Sequence, residues 1–258
     1  MVSSPAFGAD LSGRVVLVTG GARGIGATVA LEAARAGAIV AVGYRSSREA
    51  AERVVAQIRT AGGTADAFPG DLGEVGQVRE VVARVETRLG GIDGLVNCAA
   101  VMSTREFLAT DEAEWERVIR NDLYSVVFTC QAVLPGMIER WSGAIVNFAS
   151  RLAVAGAADA APYAAAKAAV VSLTRSLALA YGPRGVRINA VSPGTTLTDM
   201  GRHVIESAVG RDRMTRIPIR RFVEPSEVAA AVVFLLSDAA AGFAGQTLHV
   251  NGGELMTG

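Results

Sequence analysis

A chain of 258 residues with 25 Lys+Arg against 25 Asp+Glu carries no net charge. Lacking a basic excess, it has no general attraction for phosphate backbones, and nucleic acid is excluded as an expected partner. Hydrophobic residues make up 50% and charged residues only 19%, with 29 Gly, the balance of a folded sheet protein that buries roughly three quarters of its unfolded surface.

Short β-branched runs alternate with longer stretches of helical period almost from end to end, which predicts repeated βαβ units around a parallel sheet. Residues 1–10 read as frayed, and residues 11–258 as one α/β domain with a doubly wound sheet. The first strand is Arg14–Thr19, followed after a glycine turn by a helix over Ile25–Ala36 and a strand at Ile39–Tyr44. Helix at Ser47–Ala61, strand at Ala65–Pro69, helix at Val75–Leu89 and strand at Gly94–Asn97 complete the first half. Asp111–Arg140 reads as one long helical region, opened by a capping box of Asp111 with Glu114. A strand at Ala144–Phe148, a helix at Pro162–Tyr181 and a strand at Val186–Val191 follow. Thr195–Val223 holds six arginines with little periodicity and reads as a loop or lid. Pro225–Leu236 is a helix with Pro in its first turn, and Thr247–Val250 the last strand.

No stretch reaches the roughly 18 uninterrupted apolar residues of a membrane span, and Met1-Val2-Ser3-Ser4-Pro5 is not a basic region leading into a hydrophobic run. A cytoplasmic protein with no membrane partner is expected. Cys98 and Cys130 lack metal-ligand spacing and read as buried free thiols in a reducing compartment, with no metal site.

Between the first strand and first helix lies Thr19-Gly20-Gly21-Ala22-Arg23-Gly24-Ile25-Gly26. Glycine lets a backbone approach a ligand closely, and a helix N-terminus offers unpaired N–H groups and partial positive charge, so this turn suits a dinucleotide pyrophosphate. Its spacing is Gly-x-x-x-Gly-x-Gly, a longer turn than Gly-x-Gly-x-x-Gly. Farther on, Ser150 precedes Tyr163-Ala164-Ala165-Ala166-Lys167. A Tyr and a Lys four positions apart share one helix face. The ammonium is therefore expected to draw the phenol pKa down from about 10 toward the working pH. Hydroxyl, phenol and ammonium together can share one proton.

These segments, with Asp71, Asn97–Ala99 and Pro193-Gly194 in the same order and spacing, resemble the short-chain dehydrogenases/reductases over nearly the whole chain. The ending Gly245-Gln246-Thr247-Leu248-His249-Val250-Asn251-Gly252-Gly253 is similar to that of the bacterial 3-oxoacyl-acyl-carrier-protein reductases and related sugar and alcohol dehydrogenases. The resemblance implies an oxidoreductase that interconverts a ketone, 3-oxoacyl-like, and a secondary alcohol. Tyr163 would be its acid/base, Ser150 would hold the reacting oxygen, and Lys167 would serve both the phenol and the nicotinamide ribose. It assigns Gly20, Arg23, Gly24, Ile25, Gly26, Tyr44, Arg45, Ser46, Asp71, Leu72, Asn97, Ala99, Pro193, Gly194 and Thr198 to the cofactor, with Tyr163 and Lys167 sharing that contact. At the end of the second strand an acid would bond ribose hydroxyls and repel a 2′-phosphate. Arg45 stands there instead, with Arg23 in the glycine turn, so NADP(H) is favoured, while NAD(H) is also tolerated by relatives with Tyr-Arg-Ser here. A ketone, alcohol or acyl thioester would be the small-molecule partner, and a homotetramer the assembly, using the Asp111–Arg140 and Pro162–Tyr181 helices.

The chain departs from the family pattern at three points. Asp122 occupies the position of the fourth catalytic residue, ordinarily Asn. Ala100 ends an Asn-Cys-Ala-Ala motif where Gly is usual, placing a Cβ near the cofactor. Of two basic carrier-binding positions, one matches Arg184 and the other falls on Trp141, beside Arg140. Two other readings stand beside the preferred one: a sugar or secondary-alcohol dehydrogenase using NAD or NADP, and a non-catalytic nucleotide-sensing protein on the same fold.

Overall fold

The computed structural model describes residues 8–198, 205 and 207–257. Seven strands, β1 Val15–Thr19, β2 Ile39–Tyr44, β3 Thr64–Pro69, β4 Ile92–Asn97, β5 Gly143–Phe148, β6 Val186–Pro193 and β7 Thr247–Val250, form one parallel sheet in the order β3-β2-β1-β4-β5-β6-β7. The helices are α1 Gly24–Arg35, α2 Arg48–Thr60, α3 Val75–Leu89, α4 Glu112–Ile119, α5 Ser125–Glu139, α6 Leu152–Ala155, α7 Ala161–Tyr181, α8 Ala208–Arg216 and α9 Pro225–Leu236. This is the expected doubly wound α/β architecture. The near-continuous Val, Ile and Ala runs have their cause in a sheet covered on both sides. Val16, Val18, Val40 and Val42 pack under α1, α2 and α9, whereas Leu17, Ala41, Leu95, Ile145 and Ile188 pack under α3, α5 and α7. Each of these Val, Leu and Ile side chains contributes about 1.5–3 kcal/mol by leaving water.

From β1 the chain first builds outward to β2 and β3, then crosses back to add β4 on the other side of β1. The loops after β1 and β4 therefore diverge, and open sheets of this kind bind ligands in that crevice, at the C-terminal ends of the strands. Between β4 and β5 the sheet carries buried amides that face each other in register. Asn97 Nδ2 donates to Asn147 Oδ1 at 2.9 Å, Thr129 Oγ1 donates to Asn97 Oδ1 at 2.8 Å, and Asn147 Nδ2 donates to Thr174 Oγ1 at 3.0 Å. Asn147→Ala is expected to cost about 1–3 kcal/mol of stability by orphaning the Asn97 amide, read as a lower thermal midpoint; an unchanged midpoint would show the network to be dispensable.

Four expectations are corrected. Of the frayed segment, residues 1–7 lie outside the described residues, but Ala9 is buried in the core and Asp10 accepts from Ser12 N at 2.8 Å, so packing reaches further toward the N-terminus than polarity suggested. The long helix from Asp111 is interrupted by a π-helical turn at Arg120–Tyr124. Its capping box is only half made: Asp111 accepts from Glu114 N at 2.8 Å, while the Glu114 carboxylate turns to Arg117. Within Thr195–Val223, apart from residues 199–204 and 206, which lie outside the described residues, α8 forms, capped by Ser207 accepting from Gly210 N at 3.0 Å. Its arginines hid the helix because they lack an apolar stripe, yet Arg213 and Arg216 suit the negative end of its dipole. No helix among the described residues is long and apolar enough to cross a membrane.

Candidate active site

The glycine turn and the strand beside it are tied by Thr19, whose Oγ1 accepts from Cys98 N at 3.0 Å and Ala99 N at 3.1 Å. Two glycines are sterically required. Gly20 has φ 64°, and a Cβ there would lie 2.9 Å from Ala99 Cα; at Gly26 a Cβ would lie 2.3 Å from Gly20 O. The N-terminus of α1 points into this cradle, and Arg23, its exposed N-cap, supplies no side-chain bond to it. Ile25 packs back on the core. From the opposite side, Thr198 reaches the turn, its Cγ2 3.7 Å from where a Gly24 Cβ would be. The crevice is thus bounded by loops from both halves of the sheet.

At its far end, Tyr44 is half-buried and Arg45 and Ser46 are exposed. Arg45 Nη1 donates to Asn121 Oδ1 at 2.8 Å and lies 3.8 Å from Asp71 Oδ2. Asp71 also accepts from Gly73 N at 3.0 Å, and Leu72 packs on the core below. Asn97, expected at the cofactor, turns its side chain into the sheet network and is 2% exposed. That orientation of its side chain follows from the parity of β4. Ala100 packs its methyl against the cluster of Val118, Ala160, Tyr163 and Ala166.

The chemical groups gather where β5 meets α7. Ser150 follows β5, its Oγ accepts from Leu152 N at 3.2 Å, and its hydroxyl is close enough to the Tyr163 phenol to favour the phenolate. Tyr163, in the first turn of α7, is 8% exposed, and Lys167, one turn on, is 1% exposed. Lys167 Nζ donates to Phe148 O at 3.1 Å and lies 5.6 Å from the Tyr163 ring centroid. The π turn directs Asp122 inward, fully buried. Its Oδ1 accepts from Val101 N at 2.7 Å, and its Oδ2 stands 3.7 Å from Lys167 Nζ with no hydrogen-bond partner. Burial pushes the Tyr163 pKa above its ordinary value; Lys167 and the Ser150 hydroxyl pull it down, but Asp122 pushes it up again. The expected net lowering by Lys167 is therefore reversed, because desolvation penalises the phenolate more than one partly neutralised ammonium favours it.

Pro193 pairs with Val250 in the sheet, and Gly194 N donates to Val250 O at 2.9 Å. Beside them sits a group that pattern reading missed. Glu254 accepts from Thr195 N at 2.8 Å and pairs with Arg151 Nε at 2.9 Å and Arg213 Nε at 3.6 Å. It joins the residue after Ser150, the start of the Thr195–Val223 segment and α8. The partners are scattered along the chain, so only Arg151, adjacent to Ser150, offered a signal. Arg140 donates to Ile92 O at 2.8 Å, while Arg184 and Trp141 are exposed.

A family model described as Enoyl-(Acyl carrier protein) reductase matches residues 20–254. The chain is 38% identical over 240 residues to the 3-oxoacyl-[acyl-carrier-protein] reductase of Staphylococcus aureus (strain N315), covering 93% of this chain and 97% of that protein. It belongs to the short-chain dehydrogenase/reductase family. This short-chain dehydrogenase/reductase is also 38% identical over 248 residues to 2-(S)-hydroxypropyl-CoM dehydrogenase 3 of Xanthobacter autotrophicus (strain ATCC BAA-1158 / Py2), covering 94% of this chain and 97% of that one. A gluconate 5-dehydrogenase from Burkholderia cenocepacia J2315, solved with NADP and tartrate, superposes with a TM-score of 0.91 at 35% identity, covering 95% of this chain and 96% of that chain. As a member of the family the protein is an oxidoreductase of the NAD(P)(H)-using kind.

Proposed function

We propose that this short-chain dehydrogenase/reductase is an NADP(H)-preferring enzyme that interconverts a ketone, 3-oxoacyl-like, and a secondary alcohol. The observation that carries the reading is the burial of Tyr163 and Lys167 together, Nζ 5.6 Å from the phenol ring, beside Ser150 at the C-terminal end of β5. That grouping favours catalysis over nucleotide sensing alone. The cradle at Gly20 and Gly26, which a Cβ would fill, together with the N-terminus of α1, fits a dinucleotide pyrophosphate. When bound, the nicotinamide exchanges a hydride with the substrate carbon. In reduction Ser150 holds the carbonyl oxygen and Tyr163 gives it the phenolic proton as the alkoxide forms; in oxidation the phenolate takes the alcohol proton back. Lys167 lowers the cost of the phenolate and offers its ammonium to the nicotinamide ribose.

The preference for NADP(H) rests on Arg45, with Arg23 in the glycine turn as a second cation. Arg45 is held by Asn121 and Asp71, an arrangement that fixes a guanidinium for a phosphate contact. Arg45→Asp is expected to raise KM for NADPH at least about tenfold more than KM for NADH, through loss of a charge-assisted bond and gain of repulsion. Steady-state kinetics with both nucleotides checks it; equal effects would make Arg45 a surface residue.

The runner-up substrates are sugars and small secondary alcohols, since the curated relatives also include an L-rhamnose 1-dehydrogenase from Azotobacter vinelandii (strain DJ / ATCC BAA-1303). Against a dedicated carrier-protein partner, Arg140 is engaged with Ile92 and Trp141 replaces the second cation. A panel of 3-oxoacyl thioesters, simple ketones, sugars and alcohols, followed by absorbance of the reduced nucleotide, tests the reading. Turnover of none of them would overturn it. A cytoplasmic homotetramer belongs to the same reading, supported by the exposed Leu179 on the outer surface of α7.

A further inference from the structure

The buried centre holds a carboxylate as well as an ammonium, and this changes what the tyrosine is prepared to do. Asp122, fully buried, places Oδ2 3.7 Å from Lys167 Nζ, and among the described residues its carboxylate takes one hydrogen bond, from Val101 N to Oδ1. An amide at this position would accept the same bond from Val101 but bring no charge. The carboxylate's compensating charge therefore comes chiefly from Lys167, at a site where water screens little. The remaining neighbours do not disturb this balance. Arg117 of α4 acts on Asp122 from farther away and is itself held by both oxygens of Glu114 at 2.7 Å. Cys98, after β4, is pushed up to about 12 by burial and stays a neutral thiol, and Ser150 is neutral.

Building on the acid/base role given above to Tyr163, we propose that Asp122 neutralises Lys167 and so keeps Tyr163 a protonated phenol to higher pH, setting the pH at which the site can take a proton from an alcohol. With an uncharged residue in its place, Tyr163 faces an unopposed ammonium and yields its proton sooner. The oxidative direction starts from the phenolate, so the carboxylate moves the rise of its pH profile to higher pH. The pH range of the acid/base is thus set by one buried charge rather than by the substrate pocket.

The test is an ultraviolet difference titration of phenolate formation in the nucleotide-free protein, with the Tyr163→Phe titration subtracted to isolate one residue. Asp122→Asn, which keeps the acceptor for Val101, is expected to lower the Tyr163 midpoint by about one pH unit, the size of one charge removed at several ångströms in a partly screened interior. Asp122→Ser, a second neutral variant, should shift it the same way, and Asp122→Glu should restore it toward the wild-type value. In turnover, the pH profile of kcat/KM for alcohol oxidation should move to lower pH by the same amount in the neutral variants. Wild-type midpoints in both neutral variants would overturn the proposal. The titration needs no substrate, so a protein that turned over nothing would refute the proposed function and leave the charge effect to be judged by the titration.

Discussion

Replacing Tyr163 by Phe is expected to lower kcat by at least about 10²-fold while leaving NADPH binding intact, the loss typical of removing a positioned proton donor. The substitution takes away one oxygen from a ring that is 8% exposed and packed with Val118, Ala160 and Ala166, so the fold keeps its contacts. Ser150 keeps its bond from Leu152 N and is not left stranded. The cradle at Gly20 and Gly26 lies at the end of a different strand and is untouched. Fluorescence titration with NADPH should match wild type, while single-turnover reduction of a ketone should be slow. Near-normal turnover would remove Tyr163 from its role as acid/base.

Lys167→Ala should damage two quantities at once. The ammonium is buried, donates to Phe148 O and faces Asp122, so its removal leaves a carboxylate in a water-poor site without its cation. Burial already pushes the Asp122 pKa up, opposed by Lys167; without Lys167 the group takes up a proton and becomes neutral. With the ammonium goes the donor expected to orient the nicotinamide ribose beside the phenol, and kcat is expected to fall at least about 10²-fold. Loss of a charged donor to the nicotinamide ribose should weaken nucleotide binding by about tenfold. Stopped-flow turnover and equilibrium nucleotide titration separate the two effects, and damage to only one of them would show that the dual role is wrong.

Much of this fold is legible because parallel strands covered on both faces must be runs of Val, Ile and Ala, and because Pro225 marks a helix start. The bounds Val75–Leu89, Pro225–Leu236 and Thr247–Val250 agree with the structure. The π turn at Arg120–Tyr124 is not legible, since one extra residue per turn leaves composition and apolar content unchanged. It is nonetheless what lets Asp122 and the apolar face of α5 both point inward. The candidate site shows the same division. Ser150, Tyr163 and Lys167 stand out by spacing and converge in space, yet the balance of forces on the phenol depends on enclosure by several segments, which spacing does not report. Asn97 sits in a recognisable motif, but strand parity decides that its amide serves the sheet.

The wall formed by β7 and Glu254 also has a consequence for how the protein comes to life on the ribosome. The residues of the crevice around β1 and β4 come first in the sequence, and the phenol and ammonium follow, but Val250 and Glu254, the partners of Gly194, Thr195 and Arg151, come later than all of them. A nascent chain halted before Thr247 has the glycine turn and the tyrosine but no edge strand to seat Pro193. The ribosome therefore emits the glycine cradle well before the residues that brace Pro193 and Thr195.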